Sequence, residues 1–186
     1  MCALTTFDEL RHIEDVEKST FRNAISLFAT GVTVITTCTE SGPAGMTASA
    51  VTSLSLDPVQ LLVCVSTRLP THAAIEASGR FAVNVLGEGA GALAIRFATP
   101  TEDKFADLEH TQRGGVPVLE ESIAYFVCDV HERLVGGDHS IFIGSVRQLG
   151  LRPGARPLLY FGGRFGQLAD SQDELLKSWV DGSMFL

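Results

Sequence analysis

The sequence is poor in positive charge and has no closely paired cysteines, and each absence excludes classes of partner or site. Its 186 residues include 14 Lys and Arg against 22 Asp and Glu, which gives a net charge of −8 at pH 7. Without a run of Lys or Arg, such a chain repels polyphosphate at long range, so neither a nucleic acid nor an anionic membrane is an expected partner. The four cysteines form no C-x-x-C pair, which argues against a zinc or redox-disulfide site.

Long apolar runs are also absent. The longest strongly apolar run covers residues 61–65, far short of the roughly 20 residues that a membrane-spanning helix needs. The first residues are acidic and contain no apolar stretch of the signal-peptide kind. We therefore expect a cytoplasmic chain without a signal peptide or membrane span. Cys38, Cys64 and Cys128 each lie in an apolar strand-like run, where free thiols in a reducing compartment are expected to pack in the core.

Common catalytic and metal-binding motifs are missing as well. The five histidines show no H-x-x-x-H or H-E-x-x-H spacing, so no metal site is predicted. The chain contains neither a G-x-S-x-G elbow nor a G-x-x-x-x-G-K-[ST] loop, which leaves acyl transfer and nucleotide hydrolysis unsupported. The chemistry is then expected to come from a cofactor.

The hydrophobic pattern predicts one domain that is mainly β with a few helices. Helices are predicted at residues 21–28, capped by Ser19 or Thr20 and ended by Gly31, at 71–77 with Thr71 as cap, and at 92–98. Strands are predicted at residues 32–38, 44–56, 61–66, 81–86, 123–133, 140–149 and 157–161, with an irregular stretch over 101–117. Strands that follow one another through short turns favour an antiparallel barrel or sandwich over a doubly wound sheet.

A glycine-rich segment supports a competing hypothesis. Residues 87–92 match the G-x-G-x-x-[GA] dinucleotide pattern, follow a predicted strand and precede a predicted helix. That fingerprint should open a β-α-β unit of about 30 residues, whereas Pro100 ends the helix early and the next predicted strand begins only at Ile123. A Rossmann-type reductase that uses residues 87–92 is therefore kept as an alternative. The other interpretation of this segment is a flexible connection rich in small residues.

Residues 47–55 form an unusual strand pattern. At period two, Thr47, Ser49, Val51, Ser53 and Ser55 share one face, which is mostly hydroxyls. Small side chains let a planar ligand approach the backbone, and the hydroxyls can bond a ring edge, a polyol or a phosphate. The same pattern is typical of an edge strand with a solvated face, so the residues alone leave both interpretations open.

An ordered set of short motifs adds a resemblance. In chain order these are FR at 21–22, ATGVTVIT at 29–36, GMTAS at 45–49, SLSLDP at 53–58, LVCVS at 62–66, TH at 71–72, GRFAVNVL at 79–86, RFA at 96–98, DKF at 103–105, GDH at 137–139 and YF at 160–161. With them the chain resembles, over about residues 21–166, the short-chain flavin reductases, which are the reductase components of two-component flavin-dependent monooxygenases.

This resemblance implies a fold and an activity. The fold would be an antiparallel Greek-key split β-barrel (FMN-binding split barrel), usually a homodimer, in a single domain over 1–186 with its core at 20–166 and a C-terminal tail at 167–186. The activity would be that of an NAD(P)H:flavin oxidoreductase that reduces FMN or FAD with NADH or NADPH and supplies reduced flavin to a separate monooxygenase. A flavin-binding protein of the same barrel that lacks turnover is the alternative.

The resemblance also implies site residues. Residues assigned to flavin binding are Thr47, Ala48, Ser49, Ser53, Leu54, Ser55, Cys64 and Ser66, with Thr71, Lys104 and the adjacent Phe105 on the phosphate side. His139 is expected to be catalytic beside the nicotinamide, together with Gly31, Val32 and Thr33. Arg68-Leu-Pro70 departs from the family pattern, because relatives are often richer in Ser and Thr at this place. The departure affects the contacts expected to the flavin phosphate.

Overall fold

The structure, a computed structural model, describes residues 13–101 and 103–169. Its helices are α1 (Lys18–Ile25), α2 (Pro70–Ser78) and α3 (Gly91–Ala98). Its strands are β1 (Thr30–Gly31), β2 (Thr33–Thr39), β3 (Gly42–Ala48), β4 (Val51–Leu56), β5 (Val59–Ser66), β6 (Arg80–Leu86), β7 (His110–Arg113), β8 (Val116–Leu119), β9 (Ser122–Gly136), β10 (His139–Leu151), β11 (Leu159–Phe161) and β12 (Arg164–Gly166). The prediction of a mainly β chain with few helices is confirmed.

All strand pairings in the described ranges are antiparallel. Seven strands form the main sheet in the order β3-β2-β6-β9-β10-β5-β4, while β1-β11-β12 and β7-β8 form two small sheets. The strand before the glycine-rich segment, β6, lies between β2 and β9 and is antiparallel to both. The parallel β-α-β context of a Rossmann site is therefore missing around residues 87–92.

The main sheet is strongly curled, because its two edges are neighbours in sequence. The edge strands β3 and β4 are joined only by Ser49 and Ala50. Seven strands laid flat would separate the edges by roughly 29 Å, whereas the three Cα steps from Ala48 to Val51 span at most about 11 Å. The sheet must therefore bend until its edges meet at this corner.

The prediction of one strand over residues 44–56 is wrong at that same corner. The Val51 N–H donates to the Ser49 carbonyl at 3.0 Å, and the Cys64 N–H donates to the Ala50 carbonyl at 3.0 Å, so the chain leaves β3 and begins β4 against β5. The sequence has no Gly or Pro at this point, and a uniform run of small and hydroxyl residues carries no signal for a break. The single predicted hydroxyl face is accordingly divided between two strands.

The core has a central layer within the curled sheet and a second layer beneath α3. The central layer contains Phe81, Phe142 and Val63, and the second contains Leu93 and Phe97. Asn84, which is fully buried, joins three strands. Its amide nitrogen donates to the Val34 carbonyl and the Thr36 hydroxyl at 3.0 Å each, and its oxygen accepts the Leu119 N–H at 2.9 Å. These bonds compensate for the cost of burying a polar side chain.

The ends of the helices differ from the predictions in two places. Helix α1 ends at Ile25, and Gly31 lies in β1 rather than ending the helix. Helix α2 begins at Pro70 after Leu69, so Thr71 lies inside the first turn instead of capping it, since proline favours the first helical position. Gly79 ends α2 as predicted, with φ of 66°.

Three further predictions concern connecting segments and termini. The stretch 101–117, predicted as irregular, contains β7 and the beginning of β8. Cys2 and the part of the amphipathic tail beyond residue 169 lie outside the described residues. None of the helices described here has the length and apolar character that a membrane crossing requires.

Gly144 tests the packing of the central layer. A Cβ added there would lie 2.6 Å from Phe81 Cζ and 2.8 Å from Cys128 Cβ. Gly144→Ala should therefore lower the free energy of unfolding by about 1–3 kcal/mol through overpacking. Urea denaturation measures this, with Gly89→Ala as control because a Cβ there meets nothing within 4 Å. Equal midpoints for the two variants would contradict the packing described here.

Candidate functional site

An open cavity of about 940 Å³ lies between edge strand β4, its neighbour β5 and the segment from α1 to β1. Its size is in the range of small-molecule and cofactor sites. Ile25, Phe28 and Tyr160 line one part with apolar surface, while Ser53 and Ser55 bring hydroxyls from β4. The cavity therefore combines a mainly apolar wall with a row of hydrogen-bonding groups, which suits a flat ligand that has a polar edge.

The edge position of β4 explains why a ligand can use backbone groups here. In the described sheet β4 pairs with β5 alone, so the backbone N–H and C=O groups along its other side take no part in the ladder. The pairing slips between Ser53 and Ser55, where the register shifts by one residue. The Ser55 hydroxyl accepts the Asp57 N–H at 3.2 Å, which closes the turn that follows. The strand thus presents small side chains and unpaired backbone on one surface.

Two residues of the lining indicate what kind of ligand fits. Arg22 is the sole charged side chain among the described residues that line the cavity, in a protein that is acidic as a whole. The Thr30 hydroxyl is buried and has no hydrogen-bond partner among the described residues. An unsatisfied buried hydroxyl costs roughly 1–3 kcal/mol, which a polar ligand atom would remove. The site accordingly suits an anionic ligand that also has neutral polar groups.

Part of the predicted site lies in this cavity. The predicted residues that line it are Gly31, Thr33, Ser49, Ser53, Ser55 and Cys64. They come from four separate strands and the link between β3 and β4, and the curl of the sheet brings them together. Burial raises the pKa of the Cys64 thiol, so this side chain is neutral at ordinary pH.

Five other predicted residues surround the cavity without lining it. Val32 is buried in the core layer beneath α3, and Ala48 is buried in the central layer. The Thr47 hydroxyl donates to the Ala94 carbonyl of α3 at 2.6 Å. Leu54 is exposed on β4, and Ser66 lies half-buried at the end of β5. Their contacts in this structure are with the protein itself or with solvent.

The residues predicted on the phosphate side have structural contacts in this structure. Lys104 Nζ donates to the Phe97 carbonyl at 2.7 Å and to the Gly45 carbonyl at 3.3 Å, and burial lowers its pKa. It thereby satisfies a carbonyl in the last turn of α3, where a cation is favourable. Phe105 packs edge-on against Phe97 with ring centroids 5.2 Å apart. Thr71 is buried in the first turn of α2.

His139 lies at the beginning of β10, directly after the Gly137–Asp138 turn. Its Nδ1 is 2.7 Å from Asp138 Oδ1, and this hydrogen bond together with the charge attraction lowers the pKa of the Asp138 carboxyl. His139 pairs with Ser66, and Ile141 pairs with Cys64. Because residues two apart share a side of the sheet, His139 lies on the same side as Cys64, about 7 Å further along the strand. It is half-exposed and does not line the cavity.

Sequence reasoning did not assign Arg22, Phe28, Thr30 or Tyr160 to the site. Arg22, Thr30 and Tyr160 each lie in a motif of the resemblance, and these positions were the available signal. Tyr160 reaches the cavity because β11 pairs with β1, where Tyr160 lies opposite Thr30. No local pattern links two residues so far apart in sequence, so the three-dimensional structure was needed to find this contact.

Comparison with known proteins gives consistent results. A family model described as "Flavin reductase like domain" matches residues 25–169. The chain is 42% identical over 168 residues to the reductase component of 4-nitrophenol 4-monooxygenase/4-nitrocatechol 2-monooxygenase from Rhodococcus opacus, which covers 89% of each chain. It is 39% identical over 153 residues to the reductase subunit HsaB of a flavin-dependent monooxygenase from Mycobacterium tuberculosis, covering 81% of this chain and 82% of the relative.

Solved structures agree with these relatives. The Streptomyces globisporus C-1027 NADH:FAD oxidoreductase SgcE6, in complex with NAD and FAD fragments, matches with a TM-score of 0.84 and 33% identity. That match covers 88% of this chain and 100% of the solved chain. Flavin reductase PheA2 in its native state matches with a TM-score of 0.78 and 37% identity, over 83% of this chain and all of the other.

The burial of the cysteines predicts an order of thiol reactivity. Burial and the charge of Asp129 raise the pKa of Cys128 to about 12, so at pH 8.5 almost none of it is the reactive thiolate. Iodoacetamide should therefore label the half-buried Cys38 of the native protein before Cys64, whose pKa is also raised, and should label Cys128 only after unfolding. Peptide mass spectrometry measures the order. Labelling of Cys128 as fast as Cys38 in native protein would contradict it.

Proposed function

The chain belongs to the flavin reductase-like family, and on that premise we propose that it reduces FMN or FAD with a hydride from NADH or NADPH. Reduced flavin is then supplied to a separate monooxygenase component, as the names of the relatives suggest. NADH is the preferred donor in this proposal, because relatives are named flavin reductase (NADH) and NADH-dependent FAD reductase. The observation that carries the proposal is the open cavity with a hydroxyl-rich edge strand in a chain of this family.

The lining fits a flavin in size and chemistry. A bound flavin supplies the hydride-accepting chemistry, and the protein has to hold it in a defined orientation. The apolar surface around Phe28 and Tyr160 suits the ring system, while Ser53 and Ser55 can bond its polar edge or the polyol. Arg22 supplies the positive charge for a phosphate, and the Thr30 hydroxyl gains a partner.

We assign the direct flavin contacts to the residues predicted for flavin that line the cavity, Ser49, Ser53, Ser55 and Cys64, while Gly31 and Thr33, which line the same cavity, stay assigned to the nicotinamide. Arg22 and Thr30 join the flavin contacts. Thr47 and Lys104 support the site through α3, to which both donate hydrogen bonds. His139 is assigned to the nicotinamide, where an imidazole beside the Asp138 carboxylate can orient the amide and exchange a proton.

The proposal includes a fold, an assembly and a location. We propose a Greek-key split barrel in one domain over 1–186, with its core at 20–166. The short link between β3 and β4, which brings the sheet edges together, supports it. We also propose a homodimer. Phe21, Phe28 and Leu56 expose large apolar surface beside the cavity, and a second copy of the chain would cover this surface. Free cysteines at positions 38, 64 and 128 suit the cytoplasm.

Flavin-dependent oxidation of NADH tests the proposed function. We expect purified protein under air to oxidise NADH rapidly when FMN or FAD is added, and slowly without it. Absorbance of NADH is followed with FMN, FAD and riboflavin in turn, and NADPH is tested in parallel. Flavin binding without any nicotinamide oxidation would instead support the alternative of a non-catalytic flavin-binding protein. If the protein neither binds flavin nor oxidises nicotinamide, both hypotheses are contradicted.

The role of Arg22 can be tested on flavins that differ in one group. Arg22→Ala should weaken FMN binding about tenfold, since a charge-assisted bond to phosphate is lost, and leave riboflavin binding unchanged within about twofold. Fluorescence titration of each flavin measures both constants. Arg113→Ala, an arginine that does not line this cavity, serves as the matched control for a change of net charge. Equal weakening of both flavins would contradict a phosphate contact.

A further inference from the structure

A series of polar contacts connects helix α2 to the beginning of strand β10. His72 of α2 has a side chain that is 8% exposed, and its Nε2 lies 2.8 Å from the Oγ of Ser140. Its Nδ1 is 3.3 Å from one carboxylate oxygen of Glu76, one turn further along α2. The other oxygen of Glu76 is 2.7 Å from a guanidinium nitrogen of Arg133 on β9. The contacts therefore run from a buried strand residue to the surface.

The chemistry of these groups defines the direction of the hydrogen bonds. An ionised Glu76 carboxylate 3.3 Å from His72 Nδ1 favours the tautomer with the proton on Nδ1. His72 Nε2 is then an acceptor, and the Ser140 hydroxyl donates to it. Ser140 is 1% exposed, which means that water does not satisfy its hydroxyl. His72 is accordingly the partner that makes burial of this hydroxyl tolerable.

The arrangement is similar to a Ser-His-carboxylate triad, but it cannot act as one. A triad needs a serine oxygen that a substrate can reach, with hydrogen-bond donors beside the reacting atom. Ser140 is closed to solvent, and neither Ser140 nor His72 lines the cavity. The ring of His72 packs edge-on against buried Phe142, with centroids 5.3 Å apart. These contacts hold the fold together at this point and perform no chemistry themselves.

The hydrogen bond between His72 and Ser140, called the tie below, attaches the hairpin between β9 and β10 to α2. This hairpin has little apolar packing of its own. Residues 131–136 at the end of β9 are all exposed, and Val135 is 82% exposed. The turn that follows is attached at Asp138, whose carbonyl accepts the Thr67 N–H at 3.1 Å and the Thr67 hydroxyl at 3.2 Å. Ser140 to His72 is a further attachment, which adds a side-chain bond to α2 to the backbone pairing of β10 with β5 and β9. His139 lies directly between Asp138 and Ser140.

We propose that His72 is a positioning residue, which through Ser140 fixes the beginning of β10 against α2 and thereby holds His139 in place for the nicotinamide. This inference rests on the proposed function, in which His139 contacts the nicotinamide. His72 itself touches neither flavin nor nicotinamide. Its loss should therefore weaken nicotinamide binding while flavin binding, which uses β1, β4 and β5, is retained.

Two substitutions at His72 separate the hydrogen bond from the packing. His72→Phe keeps a ring against Phe142 but can bond neither Ser140 nor Glu76. His72→Gln places an amide near the position of Nε2 and can still bond Ser140. We expect His72→Phe to raise the KM for NADH about tenfold, with kcat and the flavin Kd changed by less than about twofold, and His72→Gln to restore most of the loss.

A double-mutant cycle and a core control identify the contact responsible. Ser140→Ala should raise the KM for NADH to a similar extent, and the double variant with His72→Phe should be no worse than either single variant, because all three lack the same bond. Ile75→Val, at a fully buried position of the same helix, is the matched control. It should lower the unfolding midpoint and leave the KM for NADH unchanged.

Three outcomes would overturn the proposal: a folded His72→Phe with an unchanged KM for NADH, a His72→Gln that is no better than His72→Phe, or additive effects in the cycle. If His72→Phe does not fold, Ser140→Ala carries the same expectation. If the wild-type protein oxidises neither NADH nor NADPH with any flavin, the proposed function has failed. Hydrogen exchange at the amides of residues 136–140 then tests the tie alone, since faster exchange in Ser140→Ala than in wild type supports it and equal exchange overturns it.

Discussion

Ser49 and Ala50 join two strands that lie at opposite edges of the same seven-stranded sheet. No flat or gently twisted sheet satisfies this connection, so the whole sheet has to curl, and the side chains on its inner surface become a closed core. The same connection ends β3 early and starts β4 as an edge strand. A ligand-sized cavity, a row of small side chains and unpaired backbone groups then meet at this corner. The site is therefore a consequence of how the sheet bends.

Charge and polarity complete the site in a protein whose overall charge is unfavourable for anionic nucleotides. A net charge of −8 repels flavin phosphates and nicotinamide nucleotides at long range, so binding has to depend on local groups. Arg22 lies in the lining without an acidic side chain among the described residues around the cavity. The buried Thr30 hydroxyl adds a polar group without a protein partner. The hairpin that carries His139 pairs with β5, and Thr67 and His72 add side-chain bonds to it.

The sequence alone was enough to predict the fold class and the family. It was not enough to predict the corner at residues 49–50, on which the site depends. Period-two apolar runs and Gly79 predicted strands and a helix end that the structure confirms, because those signals are local. The break at residues 49–50 was missed, since no Gly or Pro marks it and it follows from which strands pair, β3 with β2 and β4 with β5. Motif positions drew attention to Ser53 and Cys64, whereas Tyr160, although it also lies in a motif, could be placed in the site only from its pairing with Thr30. Lys104, predicted beside a phosphate, donates to the Phe97 carbonyl near the end of α3 and to the Gly45 carbonyl of β3.

The most direct test of this account is a crystal structure of the protein with FMN bound. We expect electron density for the ring system against Phe28, Tyr160 and edge strand β4, with the phosphate at Arg22 and a flavin or ordered-water atom bonded to the Thr30 hydroxyl. Density for FMN beside residues 87–92, or anywhere else outside the cavity, would contradict the account.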